Sequence, residues 1–372
     1  MKRGQKIVAA WLVVGLVMVF GQIVIGGITR LTESGLSITE WKPLSGALPP
    51  LNAADWAEEF AKYRASPQYA QIFADISLAD FKFIYFWEWF HRQWARTMGL
   101  VFLVGFVVFS WRGWLGAALR RRLGVTVVLA ALAASFGWVM VASGLIDRPW
   151  VNAYKLTVHL ALGITLFSYL LWTTLRFCYP GPASYPPSGV EKGRWALNSV
   201  LVLQLLLGGV MSGARAALPY PTWPDMNGYF IPPVLLDSAN WTVENLVRYE
   251  ASRFQPALVQ FLHRMTAYAL FITGLWVGIR LLRQRVDGAL CRTGGLLISL
   301  LIIQLGLGIA TVVSSLGEVP VGLGVAHQAG AIALVAVVVF YNFRLYSGAS
   351  PRPVENLVEK PRDKVVAPPS GA

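Results

Sequence analysis

Four histidines, His91, His159, His263 and His327, are the only imidazoles in the 372 residues, and they fall into two matching pairs. Positions 91 and 159 are 68 residues apart, and positions 263 and 327 are 64 apart. His91 and His263 are each followed by an arginine, Arg92 and Arg264. Three residues before them stand Glu88 and Gln260, a carboxylate in one copy and an amide in the other. Imidazole is a common metal ligand because it is neutral near physiological pH. A single histidine in an apolar helix is explained by a hydrogen bond to its neighbour, but four at equivalent places are not.

The elements that carry these residues are membrane elements. The chain is 55% hydrophobic, and its apolar residues come in uninterrupted blocks of about 20, enough to cross a hydrocarbon layer of about 30 Å. Eight blocks are predicted, over about 7–28, 92–110, 124–143, 156–175, 195–214, 257–279, 295–315 and 322–343. The net charge of +13 does not point to nucleic acid, because the basic residues punctuate the blocks instead of gathering on one soluble face. Lys2, Arg3 and Lys6 precede the first block. Arg120 to Arg122 follow the second, Lys192 and Arg194 the fourth, Arg280 and Arg283 the sixth, and Arg344 with the tail the eighth. By the positive-inside rule both termini are cytoplasmic. The first residues lack the pattern of a transit peptide and no cleavage site follows, so a bacterial inner membrane is expected. Cys178 and Cys291 both fall on the inner side, where thiols stay reduced, and no disulfide is expected.

The halves repeat. Gln22 to Gly26-Gly27 at the end of the first block matches Gln204 to Gly208-Gly209 at the end of the fifth. The histidine pairs occupy the second and fourth blocks in one half and the sixth and eighth in the other. The expected fold is therefore all-α and polytopic, with eight transmembrane helices arranged as two pseudo-symmetric four-helix bundles. Residues 1–176 and 193–346 form the bundles, 177–192 a Pro-rich cytoplasmic linker, and 347–372 a disordered cytoplasmic tail. Long loops at 29–83 and 215–256 face outward and could cap a site. Glycines 137, 208, 209, 306 and 308 allow either close helix contacts or room for a flat macrocycle.

All even-numbered blocks run inward, so the four histidines share one depth near the outer face. One pair per bundle gives an iron two axial imidazoles from opposite sides of a porphyrin. Zinc would want more nitrogen, sulfur or carboxylate ligands than are at hand, and the absence of a C-x-x-C-H run excludes covalent haem attachment. Arg92 and Arg264 either snorkel to headgroups or pair with haem propionates. Glu88, one turn from His91 on the same face, is either solvated at the boundary or a proton-handling group that the second half lacks.

Four stretches resemble the haem A synthase family: Phe81 to Arg92, including Glu88-Trp-Phe-His91-Arg92; Gly26 to Ser37; Gln260-Phe-Leu-His263-Arg264; and Ala326-His327-Gln328. The resemblance extends over about residues 7–345 and is closest to the proteobacterial and mitochondrial branch. It implies an oxidoreductase that converts the C8 methyl of haem O to a formyl group by successive hydroxylations, giving haem A for terminal oxidases. It also implies that His263 and His327 hold a resident haem b, that His91 and His159 hold the substrate haem, and that Glu88 is required for turnover. Haem O synthase and terminal oxidase assembly are the partners it suggests, beside membrane lipid. The outer-loop cysteine pair of some members is absent here, so its redox role does not carry over. A quinone-linked di-haem cytochrome b and a haem transporter are the rival classes. The first commonly puts two histidines on one helix, and the second would want charged groups through the inner half of the even-numbered spans.

Overall fold

The computed structural model describes residues 2–40, 45–144, 149–179, 191–284 and 288–347. Most of the expected linker, and the tail beyond Ser347, lie outside them. Among the described residues eight helices are long and apolar enough to cross a membrane. They are Arg3–Leu31, Leu78–Trp111, Ala117–Gly144, Ala153–Cys178, Arg194–Gly213, Phe254–Arg283, Gly288–Val313 and Val321–Ser347, called the first to eighth spans. The described residues contain no strand beyond one isolated bridge between Met226 and Tyr229. Helices are what such apolar runs must form, because lipid offers no partner for backbone N–H and C=O groups.

The even-numbered spans begin earlier than their apolar blocks. The second starts at Leu78 instead of 92, capped by Ser77, whose hydroxyl accepts from the Asp80 N–H. Lys82 and Glu88 break the apolar signal, yet the helix continues through them for 34 residues. At about 1.5 Å per residue that is about 51 Å, longer than the hydrocarbon layer. Its first turns carry the loop before it: Tyr63, Phe81, Ile84 and Tyr85 are buried together under Trp56 and Phe60 of the loop helix Ala53–Arg64. Lys62 of that helix pairs with Glu58 at 2.7 Å, Glu40 at 3.0 Å and Glu59 at 3.2 Å. Those carboxylates, Glu58 first, hold its ammonium pKa above the usual lysine range.

In the first half the second span packs on the first, the third on the fourth, and the first on the fourth. In the second half the sixth packs on the fifth and seventh, and the eighth on the seventh. The fourth span meets the fifth and eighth, and the first meets the eighth, so these four make the seam between the halves. Small residues set that seam. A Cβ on Gly27 would strike the side chain of Gln328, whose Nε2 donates to Ile23 O at 2.7 Å, and a Cβ on Gly209 would lie 2.9 Å from Thr157 Oγ1.

The halves differ in one packing respect. The sixth and seventh spans close on each other through Gly278 and Gly294, where a Cβ on Gly294 would lie 2.7 Å from Gly278 O. Phe106 and Leu123 occupy the matching places in the first half, and the second and third spans form no such seam.

The repeat continues past the glycines into the loops. Glu33 and Arg215 occupy matching positions after Gly27 and Gly209, and both adopt left-handed backbone, with φ of 54° and 50°. They pair with each other across the seam at 2.9 Å. Arg30 adds a contact to Glu33 at 2.7 Å and donates to Ser212 O at 2.8 Å. Left-handed backbone is uncommon outside glycine, so its recurrence at both copies marks a shared loop geometry and not a local accident.

Candidate functional site

Each histidine ring rests on a glycine of the preceding odd-numbered span. A Cβ on Gly26 would lie 3.1 Å from His91 Nε2, and on Gly137 3.0 Å from His159 Cε1. On Gly208 it would lie 3.3 Å from His263 Cε1, and on Gly308 3.0 Å from His327 Cε1. Four matching contacts explain why the odd-numbered spans carry glycine there: backbone must come close enough to seat an imidazole. Of the other expected glycines, Gly209 serves the seam between halves and Gly306 has nothing within 4 Å.

Polar groups on the odd-numbered spans contact three of the four rings and the backbone of the fourth histidine. His159 Nδ1 lies 2.9 Å from Ala133 O. A carbonyl can only accept, so Nδ1 carries the proton and Nε2 keeps its lone pair, the state a metal ligand needs. Gln304 Nε2 donates to His327 O at 2.8 Å and lies 3.2 Å from His327 Nδ1. Gln204 Nε2 lies 3.1 Å from His263 Nε2, and Gln22 Nε2 donates to His91 O at 3.2 Å. These glutamines are site residues the histidine pattern did not single out, although Gln22 and Gln204 lie in the repeated glycine motif.

The pairing of the histidines is as expected from sequence. The His263 and His327 ring centroids are 6.5 Å apart, their planes at 70°, and His91 and His159 lie within electrostatic reach of each other. Two metal–imidazole bonds of about 2 Å each, with the ring radii added, span about 6 Å. The 6.5 Å between the His263 and His327 centroids is the separation that one iron held by two imidazoles would need. The buried His263 Nδ1, Gln204 Oε1 and Gln304 Oε1 have no hydrogen-bond partner, as befits a polar pocket that receives a group from outside the chain. Among the described residues no cluster of three or more His, Cys, Asp or Glu could hold a metal by itself.

Glu88 is not solvated; it is 2% exposed. Its Oε2 accepts from Ser37 Oγ and from the Ile38 N–H, both at 2.7 Å, and its Oε1 accepts from Arg92 Nη2 at 2.6 Å. Arg92 also donates to Ile38 O at 3.4 Å. The segment 34–38 is thus drawn down onto the second span one turn from His91. A buried ion pair is stable only where further hydrogen bonds satisfy the charges, and here two loop donors do so.

The second half keeps the frame and changes the chemistry. Gln260, fully buried, donates through Nε2 to Tyr220 O at 2.9 Å, while its Oε1 has no partner. Arg264 does not snorkel. It is 8% exposed and donates to Asp225 O at 2.6 Å, Thr222 O at 2.7 Å and Tyr220 O at 3.2 Å, which leaves its Nε buried and unpartnered. The turn it grips is self-supporting: Asp225 Oδ1 accepts from Thr222 Oγ1 at 2.7 Å and from the Gly228 N–H at 3.0 Å. These bonds, Thr222 first, lower the Asp225 pKa.

Several proteins similar in sequence carry the same name. Residues 9–339 match the family model described as cytochrome oxidase assembly protein. The chain is 40% identical to a protein named heme A synthase from a Bradyrhizobium species, over 94% of this chain and 92% of that one. It is 41% identical to a heme A synthase of Methylorubrum populi, covering 90% and 85% of the two chains, and 38% identical to one of Nitrosospira multiformis, covering 92% and 94%.

Proposed function

The chain belongs to the haem A synthase family of cytochrome oxidase assembly proteins, and from that premise we propose that it oxidises the C8 methyl group of haem O to a formyl group by successive hydroxylations. It is a multi-pass membrane protein of the haem A pathway. The substrate haem O lies between His91 and His159, and a resident haem b between His263 and His327. The observation that carries this division of labour is the unequal pair at equivalent places: a buried, three-donor carboxyl at Glu88 against an amide at Gln260.

Each part of the chain has a task in that reaction. His159, its Nδ1 committed to Ala133 O, offers Nε2 to iron, and His91 completes the pair. With water as the oxygen source, converting a methyl to a formyl group releases four protons and four electrons (R–CH3 + H2O → R–CHO + 4 H+ + 4 e−), and the Glu88 carboxyl beside the second span accepts protons there. Arg92 holds that carboxyl against the segment 34–38, which keeps bulk water from the site. His263 and His327 would hold a haem that passes these electrons one at a time to an external electron acceptor. The unpartnered Arg264 Nε is the donor assigned to a propionate of that haem, at a depth where a carboxylate without a partner is costly. By the distribution of basic residues both termini are cytoplasmic and both haem sites lie toward the outer face. Haem O synthase is the expected donor of substrate, and terminal oxidase assembly the destination of product. A di-haem electron carrier or a haem transporter would need no carboxyl confined to one half.

Glu88→Gln tests the assignment. In a host that makes haem O but no haem A of its own, the variant should insert and keep its haem b while haem A formation is lost. Haem A at the wild-type level would remove Glu88 from the chemistry.

A further inference from the structure

The segment that covers Glu88 contributes one side chain whose shortest hydrogen bond is to that carboxyl. Ser37 is 1% exposed. Its hydroxyl has a single proton and two acceptors near it: Glu88 Oε2 at 2.7 Å and Ile84 O at 3.4 Å. The shorter contact, to a charged acceptor, takes the proton. A carboxylate offers about four lone-pair sites. Ser37 Oγ and the Ile38 N–H fill both on Oε2, and Arg92 Nη2 fills one on Oε1. Among the described residues one site remains, on Oε1.

The second half serves as an internal control. Counting on from Gly27 and Gly209, the residue matching Ser37 is Pro219 and the residue matching Ile38 is Tyr220. In both halves the arginine after the histidine donates to that residue's carbonyl, Arg92 to Ile38 O and Arg264 to Tyr220 O. The hold on the loop is therefore common to both halves and does not require the hydroxyl. The carboxyl and the serine are present together in one half and absent together in the other, where Gln260 reaches Tyr220 O and Pro219 has no donor at all. A residue needed only for packing would have no reason to follow the carboxyl in this way.

We propose that Ser37 is a positioning residue for proton transfer at Glu88: with the Ile38 N–H it saturates Oε2 and leaves Oε1, held by Arg92 alone, as the oxygen that takes the proton. This rests on the reading that Glu88 takes protons from haem O oxidation. Without the hydroxyl, both oxygens carry an open lone pair, and the carboxyl can settle in orientations that do not face the reacting methyl group. The binding of haem O by its iron ligands is untouched, so the effect belongs to turnover and not to affinity.

The test uses the full-length protein in membranes supplied with haem O. For Ser37→Ala, kcat for haem A formation should fall on the order of tenfold, the usual loss for one hydrogen bond to a charged group, while KM for haem O stays within about twofold and the haem b spectrum is unchanged. Ser37→Thr, which restores a hydroxyl at the same place, should recover most of the rate. Four results would each overturn the role: a wild-type rate in Ser37→Ala, a change confined to KM, loss of the haem b signal, or a Ser37→Thr variant as slow as the alanine with its haem b intact. A wild-type protein that forms no haem A in the same assay points elsewhere, to the functional reading on which this role depends.

Discussion

Gly306 and Gly308 lie two residues apart on the seventh span, and alanine at each should have opposite consequences. At Gly308 the added Cβ would sit 3.0 Å from His327 Cε1, 3.5 Å from Nδ1 and 3.7 Å from Nε2, whereas carbon atoms in contact settle at about 3.5–4.0 Å. The ring must retreat by about half an ångström, away from the Gln304 Nε2 that lies 3.2 Å from its Nδ1. Overpacking of this kind costs about 1–3 kcal/mol, which at about 1.4 kcal/mol per tenfold is about a 5- to 140-fold loss in an equilibrium constant. If the ring serves as an axial ligand, the loss falls on haem affinity. Gly306 faces the other way, beside the exposed Ile302 and Ile303, with nothing within 4 Å. There alanine brings only its helix propensity, worth up to about 1 kcal/mol. Haem b per polypeptide, measured by pyridine haemochrome on the two purified variants at equal yield, should drop for Gly308→Ala and hold for Gly306→Ala. Equal haem content in the two would refute the claim that Gly308 exists to seat His327.

The histidine pairs should separate by consequence. His263→Ala should abolish the low-spin haem b signal, because the buried iron loses one of two strong ligands, while His91→Ala should retain that signal and lose haem A formation; the reverse pattern would exchange the roles of the halves. Topology is testable by thiol labelling of intact spheroplasts. Cysteine at the exposed Ser238 should react with a membrane-impermeant reagent and Cys291 should not, and the opposite result would turn the protein over.

Much of this was legible before any coordinates. Eight spans, the pairing of His91 with His159 and of His263 with His327, and the carboxylate-to-amide difference all follow from residue type and spacing, because lipid leaves a helix little choice and a buried imidazole needs a reason. Other features were not legible, for physical causes. The second span starts at Leu78, ahead of its apolar block, because aromatic packing with the loop carries the helix through Lys82 and Glu88, which interrupt the hydropathy. From sequence Glu88 reads as either solvated at the boundary or proton-handling, and its burial waits on loop partners, Ser37 and Ile38, that are 51 and 50 residues away. Arg264 reads from sequence as either a headgroup anchor or a propionate partner, and nothing local reveals that four carbonyls from the loop before it, of Tyr220, Thr222, Pro224 and Asp225, converge on the guanidinium. The Glu33–Arg215 pair was within reach of sequence alone, since extending the repeat a few residues past Gly27 and Gly209 aligns opposite charges.

Pigment analysis of the full-length protein bears most directly on two haem sites of unequal chemistry. Purified in mild detergent from a host that supplies haem O, the chain should release haem b together with haem O or haem A, and in the His263→Ala variant the haem b fraction should be the one that falls. Two equivalents of haem b and no haem O or haem A in the wild-type extract would contradict it, and would identify instead a di-haem electron carrier built on the same paired histidines.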